Sequence, residues 1–303
     1  MFCFDPRDFG KAANGFDRTG PYRAHFLVEA VRDLRARLQD AGSDLLVRVG
    51  RPEEVLPELA AAVSAGAVFC HRDVAHEADA EVERAVGDAL QDKGVALEAL
   101  WGSTLYHVDD LPFSLADMPL HYAAFREQVH RAAIRATVPS DEGVKGLPAG
   151  RLDLGEVPTL RELGVAEAGA AAGSGAGRGP ADTGVVGGET EALRRLEAFA
   201  AEAARPAGAE GPRANFPGQV SPWLSLGCVS PRTIFERLRG ALGEGPRGVN
   251  WLVFEVRTCG RRAAGRGRGL TEKKKSCSGA TSSSSPPPST PPVRPRPGRR
   301  RRE

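Results

Sequence analysis

The sequence predicts an α/β fold. A Rossmann-like parallel sheet comes first, then an incomplete all-α region and a disordered basic tail. Three observations point there. Short apolar runs of strand length alternate with amphipathic helical stretches over residues 1–165. The runs are apolar throughout, the pattern of strands buried on both faces of a parallel sheet. After Val256 apolar periodicity stops, and Lys, Arg, Ser and Pro take over.

Phe2–Phe4, Leu45–Val49, Ala67–Cys70 and Leu97–Leu100 are the expected strands. Between them, Ala24–Gln39 carries Phe26, Leu27, Ala30, Val31, Leu34 and Leu38 at helical spacing. Pro52–Val63 opens with proline and two glutamates, which suit the positive end of a helix. Glu77–Gln91 repeats the pattern, with its acids early. Residues 166–188 are nearly all Ala, Gly, Ser, Pro and Thr, a flexible linker. Glu189–Ala204 then reads as a helix, capped by Thr190 or an adjacent residue. A second Gly/Pro stretch, Arg205–Gly218, precedes another amphipathic helix, Pro231–Leu242, with Ile234, Phe235 and Leu238 on one face. Val249–Val256 reads as the start of a further helix. Arg257–Glu303 cannot bury enough apolar surface to offset its chain entropy. The expected organisation is an α/β domain at 1–165, a linker at 166–188, a helical region at 189–256 and a disordered tail at 257–303.

Charge is unevenly spread. Of 41 Lys/Arg and 39 Asp/Glu, 14 and 2 fall in residues 257–303, giving that tail +12 and leaving 27 against 37, or −10, for residues 1–256. An acidic body is a poor nucleic-acid binder on electrostatics alone, whereas the tail suits polyanions without specificity. No run approaches the roughly 18–20 apolar residues that span a bilayer. Met1-Phe2-Cys3-Phe4-Asp5 has neither a basic lead nor an apolar signal core and reads like the inside of a domain. Five scattered cysteines without Cys-x-x-Cys suggest a reducing compartment, with Cys228 a small buried hydrophobe.

Catalytic signatures are few. His71, His76, His107, His121 and His130 fit no metal-ligand spacing. Dinucleotide, P-loop and nucleophile-elbow motifs are absent. Val49-Gly50-Arg51-Pro52 lies at the carboxyl end of a strand, where open sheets bind ligands, but it also reads as an ordinary βα turn. Trp101–His107 is an aromatic run suited either to stacking on a planar ligand or to packing as a loop.

Taken in order, these segments resemble the photolyase/cryptochrome family, in its cryptochrome DASH branch. The resemblance rests on Cys3-Phe4-Asp5-Pro6, Thr19–Arg23, Gly42–Glu54, Trp101–Phe113, Asp117-Met118-Pro119, Phe125-Arg126-Glu127, Lys145–Gly150, Gly187–Leu193, Ser221–Arg232 and Trp251–Glu255. It implies an α/β domain able to hold a pterin antenna (methenyltetrahydrofolate) and a helical domain holding FAD. It further implies light-driven repair of cyclobutane pyrimidine dimers in single-stranded DNA, or blue-light reception, by a soluble intracellular monomer; the compartment stays open, with chloroplast and mitochondrion among the alternatives. By the resemblance Ser221 ends the family's phosphate-binding hydroxyl run, and Gln219, Val220 and Leu224 belong to the same flavin wall. Pro217 weakens that wall, offering neither hydroxyl nor N–H. Glu255 matches the glutamate that faces the lesion. The family motifs stop after Glu255, and the family's first strand, a central one, is not seen. Truncation at both ends is the expectation, with Phe2–Phe4 and Ala67–Cys70 lacking a common neighbour, and a chain so shortened is expected neither to bind FAD stably nor to repair DNA. The alternative expectation is a non-enzymatic α/β antenna or interaction fragment without flavin.

Overall fold

The computed structural model describes residues 1–72, 77–138, 146–147, 152–165, 184–204 and 216–243. Four strands alternate with three helices: β1 (Phe2–Phe4), α1 (Pro21–Asp40), β2 (Val47–Val49), α2 (Pro52–Ala62), β3 (Ala67–His71), α3 (Glu77–Gln91) and β4 (Ala96–Leu100). The helical part follows as α4 (Tyr122–Val129), α5 (Glu189–Ala203), α6 (Phe216–Ser225) and α7 (Pro231–Leu242). Short 3₁₀ turns at Pro6–Asp8, Val108–Asp110 and Leu115–Asp117 punctuate the loops.

The strand pairings are parallel, as the apolar runs predict. β1 pairs with β2 in the register Phe2–Val47, and β3 with β4 in the register Ala67–Ala96. Among the described residues the two pairs do not join. No described strand pairs the β1 edge away from β2 or the β3 edge away from β4. The outer edge of β2 is covered instead by the segment around Leu154, whose carbonyl accepts the Val47 N–H at 2.7 Å.

Each pair has its own apolar cover. Phe4, Ala24, Val28, Val31, Leu45 and Val47 bury one face of the β1–β2 pair under α1. Ala60, Val86, Leu90 and Val95 knit α2 and α3, with Val68 and Leu97 of the second sheet packed against them. Burial of such side chains stabilises by roughly 1.5–3 kcal/mol each. The opposite face of the second sheet is open: Phe69 is 68% exposed and Leu100 53%.

The largest core is helical. It joins Leu196 and Phe199 of α5, Val220 and Trp223 of α6 and Ile234 and Leu238 of α7. Leu105, Tyr106, Phe125 and Val129 enter this core, so residues 105–129 pack with the later helices. Phe26 of α1 also reaches it. One long helix therefore serves both halves.

Several boundaries differ from the sequence expectation. β2 is shorter than Leu45–Val49, although Leu45 is buried beside it. α6 starts at Phe216, inside the expected Gly/Pro stretch. Pro217 is tolerated because the first turn of a helix has no partner for its missing N–H. α4 was hidden because its eight residues are too few for periodicity to show. Thr190 does not cap α5: Gly188 is the N-cap residue, and Thr190 donates its N–H to Asp33 of α1 at 3.1 Å. Residues 166–183, Trp251–Glu255 and the tail 257–303 lie outside the described residues.

Candidate functional site

The segment Ser221–Arg232 folds as a sharply punctuated helix corner. α6 ends in a Schellman arrangement, with Gly227 left-handed at φ 72°. Cys228 N–H donates to the Trp223 carbonyl at 2.9 Å and Gly227 N–H to that of Leu224 at 3.3 Å. A side chain at 227 would be strained by that backbone, hence glycine. Ser230 then opens α7, its hydroxyl accepting the Arg232 N–H at 3.2 Å, with Pro231 in the first turn.

The four residues proposed for the cofactor wall lie on α6. Val220 is 2% exposed and turned into the helical core, and Leu224 packs against the same core. Gln219 and Ser221 are half-buried, so an amide and a hydroxyl are the polar groups this stretch offers. No acid of α6 itself stands in its first turn. Pro222 has no N–H to give the Gly218 carbonyl one turn back. Ser221 is the sixth residue of α6, more than a turn from its start, so a hydroxyl and an amide, rather than the helix start, are what this stretch could offer an anion. Glu255 lies outside the described residues. Beside the corner runs a groove of about 310 Å³ lined by Tyr22, Phe26, Pro222, Ser225 and Leu226.

Trp223 fixes α6 to the rest of the molecule. It is 1% exposed, its indole N–H donates to the Val186 carbonyl at 2.9 Å, and Phe26 meets its ring edge-on with centroids 5.5 Å apart. The Arg195 guanidinium sits 4.6 Å above the ring. Arg195 is itself held by Glu191 at 2.6 Å and by the Gly184 carbonyl at 2.7 Å. Glu191 is drawn down to about 2 by the hydrogen bond from Arg194, against burial, with Arg195 adding to the effect. Gly187 makes the approach of α5 to α1 possible, since a Cβ there would lie 2.1 Å from the Phe26 carbonyl oxygen. Its N–H donates to Glu29 at 2.9 Å. Sequence reasoning missed this dock. The Gly187-Gly188 pair before a helix was its one visible signal.

At the carboxyl ends of β1 and β2 a closed ion cluster forms. Arg7 donates to Asp5 at 2.6 Å and to Glu53 at 2.8 Å. Burial raises the Asp5 carboxyl, but the Arg7 hydrogen bonds and charge outweigh it and hold the group below its usual range. Burial, reinforced by Asp5 and Glu53, pushes the Cys3 thiol up to about 11, and it donates to the Gly50 carbonyl at 3.2 Å. Gly50 N–H is bonded to Phe4 O at 3.0 Å, so Val49–Pro52 is a tied-down βα turn. The Trp101–His107 run is a packed loop: Trp101 N–H meets Thr104 Oγ1 at 2.7 Å, and Leu105 and Tyr106 are buried.

Comparison with known proteins agrees with this architecture. Residues 1–143 match the DNA photolyase family model. The chain is 41% identical over 276 residues to the blue-light photoreceptor PHR2 of Arabidopsis thaliana, covering 84% of this chain and 60% of that one. It is 41% identical over 270 residues to cryptochrome DASH of Gloeobacter violaceus, covering 84% of this chain and 51% of the relative. Among solved structures, a cryptochrome of Synechocystis sp. superposes with a TM-score of 0.68 at 30% identity, covering 84% of this chain and 53% of that chain. The chain thus spans about half the length of the curated relatives it matches.

Proposed function

The chain belongs to the photolyase/cryptochrome family, and from that premise we propose that it forms part of a light-responsive flavoprotein of the cryptochrome DASH kind. Its work would be light-driven repair of cyclobutane pyrimidine dimers in single-stranded DNA, or blue-light reception. The observation that carries this reading is the Ser221–Arg232 corner, docked through Trp223 onto α1 and presenting Ser221 and Gln219. FAD, when bound, supplies the light-driven electron chemistry. The chain's own residues do simpler things. Ser221, through its hydroxyl, and Gln219, through its amide, would be the residues to hold the cofactor's phosphates. Val220 and Leu224 hold the wall in place by packing. Glu255, which matches the family's lesion-facing glutamate, would hydrogen-bond a pyrimidine carbonyl when protonated or an N–H when ionised. The α/β half is the seat of a pterin antenna.

The test is equilibrium dialysis of the purified chain against FAD and, separately, methenyltetrahydrofolate. Weak rather than stoichiometric flavin binding is expected of this chain, and Ser221→Ala weakens it about tenfold further, the loss of one hydrogen bond to a charged group. Flavin retained equally by both proteins would remove Ser221 from the wall. A second reading is favoured by the net −10 of residues 1–256: an antenna or interaction module that does not meet DNA. It predicts near-ultraviolet pterin absorbance without flavin absorbance.

A further inference from the structure

Arg232 occupies an unusual position in the first turn of α7. Its Nε and Nη2 are both buried, and neither has a hydrogen-bond partner among the described residues. Those two atoms form the side-on edge of the guanidinium, the fork that matches a carboxylate bidentately. Buried charged donors are almost always paired, so an empty fork calls for a physical cause.

Two carboxylates lie on the elements around it, Asp110 on the Val108–Asp110 turn and Glu236 on α7 itself. Asp110 acts on Arg232 electrostatically. Glu236 lies four residues along α7, one turn away on the same face. Both are taken by a single extended segment, residues 131–138. Arg135 forks Asp110 with Nε at 2.7 Å and Nη2 at 2.9 Å. Thr137 donates its N–H and its hydroxyl to the two oxygens of Glu236, at 2.8 and 2.6 Å. Ala132 and Ile134 lay the same segment on the helical core, while Val138 is 89% exposed.

We propose that residues 131–138 are a two-state strap. Closed, it holds Asp110 and Glu236 and leaves the Arg232 fork empty; lifted, it releases both carboxylates to Arg232. The balance is physical. The closed state leaves two buried N–H groups of the half-buried Arg232 unpaired, and its Arg135–Asp110 pair is solvent-exposed and screened by salt. The lifted state exposes Ala132 and Ile134 but satisfies the buried fork. Two packings with compensating terms make the segment bistable rather than merely loose. The strap ties the Val108–Asp110 turn to α7, so its position is felt beside the corner that carries Ser221. The inference does not depend on a bound flavin.

Hydrogen exchange on the full chain reads the equilibrium. Arg232→Met removes the alternative partner, so amides of 132–138 exchange about tenfold more slowly, the worth of a hydrogen bond to a charged group. Amides of α5 serve as the control and stay unchanged. Unaltered strap exchange, or slowing shared equally by α5, overturns the proposal. Arg135→Gln speeds strap exchange about tenfold in the parent chain and much less in the Arg232→Met background, because the released Asp110 then has no fork to enter. Equal acceleration in both backgrounds overturns it. Should Arg232→Met fail to fold, Thr137→Val loosens the strap without touching the buried charge. The Arg232 Nε–H resonance then becomes protected and moves as a new hydrogen bond forms, and an unmoved, unprotected resonance overturns the idea.

Discussion

Replacing Trp223 by Phe separates the anchor of α6 from the bulk of its burial. Three losses can be worked from the structure. The indole N–H bond to the Val186 carbonyl at 2.9 Å disappears, about 1 kcal/mol. The Arg195 guanidinium, 4.6 Å from the ring centroid, loses its best aromatic partner, about 0.5–1 kcal/mol. The smaller ring leaves a void in a site only 1% exposed, about 1–2 kcal/mol. The edge-on contact with Phe26 persists in part, since a phenyl ring also has an edge. The sum is about 2–4 kcal/mol, a large share of the ~5–15 kcal/mol that holds a typical domain together. Urea unfolding followed by far-ultraviolet circular dichroism measures it directly. Arg195→Ala should then cost less in the Trp223→Phe background than in the parent, because the ring it stacks on has changed. A loss below about 0.5 kcal/mol, or strictly additive substitutions, would refute the view that Trp223 is the dock.

Two further outcomes are expected. Glu191 is held at about 2 against an ordinary 4.5, so its contribution is present above pH 4.5 and lost as pH falls toward 2. After screening it is worth about 1 kcal/mol, and the gap in stability between Glu191→Gln and the parent should close over that window in acid titrations. Gly187→Ala places a Cβ 2.1 Å from the Phe26 carbonyl oxygen and 2.9 Å from the Ala30 nitrogen, both backbone atoms that cannot turn aside. A loss of about 2–3 kcal/mol should lower the urea midpoint, and a parent-like midpoint would show that α1 and α5 do not meet so closely.

Much of the fold was legible residue by residue. Glu77–Gln91 and Pro231–Leu242 are helices over the very spans their periodicity marks. Both have long amphipathic patterns, a clear start and no competing signal. Phe2–Phe4 also stands as expected, because an apolar run of that length has little other use beside a helix. Less was legible where short elements or side-chain partners decide. α4 has only eight residues, and α6 opens on Phe216-Pro217-Gly218, a string that reads as a loop until its first turn is seen to need no proline N–H. The cap of α5 comes from Asp33, 157 residues upstream of Thr190, which no local rule can find.

By itself the sequence determined the alternation of strands and helices, their parallel character and the family to which the chain belongs. These follow from local periodicity and from motifs held in order, and both survive without knowledge of contacts. Tertiary structure decided the rest. It sent Val220 into the core and left Ser221 and Gln219 half-exposed. It closed Arg7 on Asp5 and Glu53, and it spent Asp110 and Glu236 on the strap rather than on Arg232. The physical reason is common to all three. Packing and charge pairing depend on which distant groups arrive at the same place, and a carboxylate in a sequence does not say which cation it will meet.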